Sequence, residues 1–185
     1  MNLKKTLALL CIAGLLTQCT NKPDPFLITE NQIGKLPKGV LTQELDSIYS
    51  NDSLVTNAPK TQFSMSSKKH YEVYEKGGKL LLSLSPVKKD SVETIENIRV
   101  YDPRFITDKG ISLNSTYGDI RNAYEVQKIT STLFNVVVNI KNSDVYFTID
   151  KDDLPADLKY QTQPIEAVQI PDNTKIKYLM LSWSN

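Results

Sequence analysis

The segments "ITENQI", residues 28–33, and "ITDKGI", residues 106–111, align without a gap within one chain. An internal repeat of this kind obliges the stretches downstream of the two copies to fold in matching ways. Phe26 and Phe105 lie just upstream of the two copies, at offsets that differ by one residue. Further along, "ELDSIY", residues 44–49, matches "DIRNAY", residues 119–124, in an acid, a branched aliphatic and a tyrosine. Both copies then pass into strand-like runs. In the first, "HYEVYEKGGKLLLSLS" places two runs around Gly77 and Gly78, a pair suited to a hairpin turn, and "TIENIRVYD" adds a third. In the second, "TLFNVVVNI" and "DVYFTI" flank "KNS", and "KIKYLMLSW" completes the set. Phe134, Val136, Val138 and Ile140 alternate onto one strand face.

The spacing also predicts one helix per copy. Leu41, Leu45, Ile48 and Tyr49 form a single helical stripe, and Tyr117, Ile120 and Tyr124 form its counterpart. Thr116 and Asp119 have the spacing of a capping box. An apolar helix stripe and the apolar face of a meander each need a cover, and packing one on the other supplies both. The expected fold class is therefore α+β: two tandem repeats, each a helix packed on an antiparallel three- to four-stranded meander, over residues 26–103 and 104–185.

The first 18 residues differ in kind. Lys4 and Lys5 precede the apolar run "TLALLCIAGLL", which has the length of a secretory signal core and is too short to span a bilayer. Residues 1–18 read as a signal peptide, and residues 19–25 as an anchor cysteine and an extended tether whose Pro23 and Pro25 disfavour helix. The run ends in "LLTQC", which resembles the lipobox of bacterial lipoproteins. Leu16 and Thr17 fit that pattern, while Gln18 replaces the small residue the family favours. The resemblance implies a diacylglycerol, and commonly a palmitate, on Cys19, and a chain fastened to a bacterial membrane of the cell envelope, the outer in preference to the inner. No cysteine comes after residue 19, so the mature body holds no disulfide, zinc knuckle or thiol nucleophile.

Tandem α+β units on an exported chain are also similar in element order to the beta-lactamase-inhibitor-protein and outer-membrane-assembly-lipoprotein folds. That likeness implies binding of other proteins through an open sheet face or loops; a fold alone does not fix a function.

Charge and chemistry narrow the classes further. Loss of Lys4 and Lys5 with the signal takes the formal charge from +1 to −1, which leaves no concentrated basic face for nucleic acid. The most basic stretch, "SKKHYEVYEKGGK", is diluted by Glu72 and Glu75 and reads as a solvated strand face. His70 is the sole histidine, beside Lys68 and Lys69 and far from any nucleophile signature. The aspartates of "DKDD", Asp150 to Asp153, lack the glycine and terminal glutamate of a calcium loop and read as a polar turn in which Asp153 caps "LPADL". No phosphate-binding glycine loop is present. These features predict no catalytic residues, no metal and no cofactor, hence a chain that is not an enzyme.

Nine tyrosines exceed the other aromatics together. Alternation sends Tyr71 and Val73 to one side of their strand and Glu72 and Tyr74 to the other, and opposes Tyr146 to Val145 and Phe147. Tyr71, Tyr74 and Tyr146 are the candidate binding surface. Tyr49 and Tyr124 are expected to cap the core and Trp183 to anchor it. The functional expectation is a noncatalytic, lipid-anchored envelope protein that binds another envelope protein or supports an assembly. A binding module for an exported glycan or peptide is the alternative, and a hydrolase comes third.

Overall fold

Alternating apolar residues build most of this molecule. The computed structural model describes residues 24–57, 69–161 and 163–183, so residues 1–18, expected to be a signal peptide, and Cys19 lie outside the described residues. Three short strands come first among the described residues: β1 (Leu27–Ile28), β2 (Gln32–Ile33) and β3 (Leu36–Pro37). A one-turn helix α1 (Leu45–Ile48) leads into the meander β4 (Ser53–Asn57), β5 (His70–Tyr74), β6 (Leu80–Lys89) and β7 (Val92–Val100). The second half repeats the plan with β8 (Ile106–Thr107), α2 (Tyr117–Ala123), β9 (Val126–Ser131), β10 (Asn135–Ile140) and β11 (Val145–Asp150). A long connection carrying α3 (Ala156–Lys159) precedes β12 (Tyr178–Ser182).

The expected pair of α+β layers gives way to a mostly β fold. The two meanders join into one antiparallel sheet of order β4-β5-β6-β7-β12-β11-β10-β9, sealed at its centre by the pairing of β7 with β12. A smaller sheet of order β3-β2-β1-β8 brings the two "IT" segments together, with Leu27 opposite Ile106 and Ile28 opposite Thr107 in parallel. Helices of four, seven and four residues are too short to form a layer. The expected first helix shortens because residues 42–44 form a 3-10 turn and Leu41 is drawn into a bridge with Thr94. Leu45 and Tyr49 nevertheless reach the core. In α2 the capping box forms as its spacing suggests, with the Thr116 N–H donating to Asp119 Oδ2 at 2.8 Å. The cap placed at Asp153 does not form: the Asp150 carboxylate takes the Asp152 N–H instead, and Pro155 precedes α3 with no side-chain cap.

One apolar row crosses all eight strands through Leu54, Val73, Leu82, Val100, Leu179, Phe147, Val138 and Ile129. A second runs through Tyr71, Leu84, Ile98, Leu181 and Val145. Both rows join the core with Ile28, Ile33 and Leu36 of the small sheet, Leu45 and Tyr49 near α1, and Tyr117 and Ile120 of α2. Leu154, Leu158, Ile165 and Ile170 from the long connection add to it, so irregular segments supply cover that the sequence pattern assigns to helices. Each fully covered side chain of this size stabilises by about 1.5–3 kcal/mol.

Gly34 fixes how the chain enters this core. Its φ is +54°, and a Cβ there would lie 2.3 Å from the Pro25 carbonyl oxygen, so only glycine fits. Nearby, the buried Asp102 carboxylate accepts from Arg104 Nη2 at 2.6 Å and from Lys79 Nζ at 3.0 Å, and Arg104 continues to Glu75 at 2.7 Å. The Arg104 guanidinium also lies over the Phe26 ring, 4.2 Å from its centroid, and Phe26 meets Phe105 edge to face. Burial alone would raise the Asp102 carboxyl, but hydrogen bonds from Arg104 and Lys79 outweigh it and hold the group at about 2.

Candidate functional site

Because strand side chains alternate, a sheet with one apolar face presents a second, different one. Here it is read along the row Val55, Glu72, Ser83, Arg99, Met180, Tyr146, Asn139 and Lys128, again across all eight strands. Every residue of this row is half-buried or exposed. The candidate site is the middle of this open face, where β7, β12 and β11 run side by side.

Arg99 is its centre. Its guanidinium lies 3.7 Å from the centroid of the Tyr178 ring and 4.5 Å from that of Tyr101. Two aromatic rings thus fix an otherwise mobile side chain and leave its planar fork ordered before any partner arrives. The Arg99 Nε–H is buried with no acceptor among the described residues. Met180 is paired with Arg99 on one side and with Tyr146 on the other, adding a pliable apolar contact. Burial raises the Tyr146 hydroxyl above its ordinary range, so it stays protonated and available as a donor.

At the β5 end of the face the Tyr74 hydroxyl donates to Glu72 Oε2 at 2.9 Å, and that bond is the main reason its own titration moves up. His70 Nε2 stands 3.6 Å from Glu72 and 3.4 Å from Asn57 Nδ2. The histidine is therefore half-buried in a polar cluster instead of solvated, and its near neighbours are a carboxylate and an amide.

The three sequence-predicted tyrosines separate. Tyr74 and Tyr146 belong to the open face, whereas Tyr71 is 8% exposed and turned into the core beside Val73. Tyr71 is thus corrected from surface to core, because alternation puts it on the buried face of β5 together with Val73. Sequence alone does not single out Arg99, Tyr101, Tyr178 and Met180. Their signal was present in the alternation of "RVY" and "KYLML", but only the β7–β12 pairing shows that the two segments are neighbours. Cys19 lies outside the described residues.

Two of the three aspartates of "DKDD" are drawn into ion pairs, Asp150 with Lys177 at 2.7 Å and Asp152 with Lys159. Among the described residues no group of three or more His, Cys, Asp or Glu is gathered as for a metal ion. None of their helices is long and apolar enough to cross a membrane.

No protein-family model matches the chain, and no curated protein does. Among solved structures, an uncharacterised Escherichia coli protein, YfeY, is similar at 16% identity, with 84% of this chain and 98% of that one covered and a TM-score of 0.49. A likeness at that distance assigns neither ligand nor activity.

Proposed function

We propose that this chain is a noncatalytic protein of the bacterial cell envelope, held to a membrane by a lipidated Cys19, that binds another envelope protein through the open face of its large sheet. The observation that carries the reading is the Tyr101, Arg99 and Tyr178 stack beside Met180 and Tyr146. Arginine and tyrosine are the residues that dominate binding energy at protein interfaces, above all when held in place before binding. The outer membrane is the preferred location, in keeping with the lipobox-like "LLTQC".

Two measurements test the two parts. A photo-crosslinking amino acid at Met180, on the full chain in living cells, is expected to give a discrete protein adduct that the same probe at Gln43, exposed on the 3-10 turn, does not. Matching patterns from both positions would remove the open face as a specific binding site. Cys19→Ala is expected to abolish palmitate labelling and detergent-phase partitioning, and retention of both would sink the anchor.

A further inference from the structure

The hairpin joining β9 to β10 has the wrong residues at its apex. Thr132 closes the turn: its N–H and its hydroxyl both donate to the Asn135 carbonyl, at 2.8 and 2.9 Å, and the Asn135 N–H donates back to Thr132 Oγ1 at 3.0 Å. Between them Leu133 and Phe134 are 79% and 68% exposed. Tight turns favour Gly, Asn, Asp and Ser. The other hairpin turns of the large sheet among the described residues are built from turn residues, with Gly77 and Gly78 after β5, Asp90 and Ser91 after β6, and Asn142 and Ser143 after β10. Leu133 and Phe134 therefore serve neither the turn nor the core, and the expectation that Phe134 shares the buried face of Val136 and Val138 fails because it lies one residue before β10 begins.

Their surroundings are cationic. The tip borders a cleft of about 1000 Å³ along edge strand β9, lined by Lys128, Lys151, Lys159 and Lys177 against only Asp150 and Asp152. Both aspartates are already paired, with Lys177 and Lys159, and the Lys128 and Lys151 ammonium groups have no carboxylate partner among the described residues. Across the cleft Tyr160 is 76% exposed.

Strand register places the tip at a particular end of the molecule. From the row of Val100, Leu179, Phe147 and Val138, the chain runs outward to Asp102 and Arg104 on the β7 side and to Val136 and Phe134 on the β10 side. Because β7 and β10 run in opposite directions, both paths leave by the same edge of the sheet. Arg104 lies over Phe26, so the first described residues emerge at that edge too.

The geometry points to Leu133 and Phe134, backed by Lys128 and Lys151, as a second contact with a membrane: an apolar tip that dips into an anionic phospholipid surface while the lysines meet its phosphates. This rests on the reading of Cys19 as the membrane anchor. Two apolar side chains on a convex tip offer far less than the roughly 800 Å² per partner of a stable protein interface. A lipid boundary requires no such area when a covalent lipid already holds the chain nearby.

The test uses the full chain carrying Phe134→Trp, with vesicles of phosphatidylcholine and phosphatidylglycerol whose acyl chains are brominated. The sole native tryptophan, Trp183, is 3% exposed and serves as the shielded background. Loss of most of the added emission is expected, and roughly a tenfold fall in vesicle partitioning for the L133D/F134D variant made in the Cys19→Ala chain. Quenching that is as strong in vesicles of phosphatidylcholine alone overturns the anionic surface. An unquenched F134W tryptophan in a chain that carries its lipid overturns the tip contact and hands the patch to a protein partner. A chain that fails palmitate labelling yet shows quenching overturns the anchor alone.

Discussion

Strand β11 carries two proteins' worth of chemistry on one backbone. Val145, Phe147 and Ile149 face inward and are at most 7% exposed, while Tyr146 and Asp150 face outward and stay half-buried. The alternation runs across all eight strands, although Thr148, also outward on β11, is covered at 4% exposed, and the two faces are held by different forces. Inward residues are fixed by their removal from water, which scales with area and has no direction. Outward residues are fixed by one another, as where Arg99 lies between two tyrosine rings and Tyr74 donates to Glu72. The difference teaches that stability and recognition are separable here, since substitutions on one face leave most of the other's energy in place.

The sharpest test compares adjacent residues. Phe147→Ala should cost about 3–5 kcal/mol in urea unfolding, and Tyr146→Ala about 1 kcal/mol. Similar losses from the two would break the distinction between the faces. Next in size is the charged cluster that closes the inner face at the chain start. Arg104→Ala leaves the buried Asp102 carboxylate with Lys79 as its remaining cation and should lower the urea midpoint, by less than loss of a wholly buried partner would because Arg104 itself is partly exposed. Titration reads the same cluster by another route. An unfolded aspartate titrates at about 3.9, and Asp102 in the folded chain at about 2, so the folded state binds fewer protons between those values. Its contribution of about 2 kcal/mol should be complete above pH 4, fall as pH drops to 2, and be missing from the Asp102→Asn profile. Smallest is Arg99→Lys, which should shift stability by less than about 1 kcal/mol yet remove the Met180 crosslink, because an ammonium cannot stack or fork as a guanidinium does. Retention of that crosslink would separate Arg99 from recognition.

Much of the strand pattern was legible because alternation is local. Val136, Val138 and Ile140, or Tyr71 against Tyr74, can be sorted within a few residues. The helices are less legible for the opposite reason: Leu41 fits a helical stripe, but its partner, Thr94, is remote in sequence, and the resulting bridge stops the helix from starting there. The joining of the two meanders was likewise invisible, since nothing in "NIRV" or "YLMLS" announces that Arg99 will lie opposite Met180. The candidate site inherits that limit, as its centre is assembled from two segments that meet only at the seam.

The parallel pairing of Leu27–Ile28 with Ile106–Thr107 has a consequence in time. Hairpins between consecutive strands close over short loops, whereas this pair must wait until the whole first meander has been laid between its members. Refolding should therefore proceed from the hairpins outward, with the start of the chain docking last and its contacts absent from the transition state. Ile28→Val would then quicken unfolding while leaving the folding rate almost untouched, a kinetic signature readable in a single chevron plot.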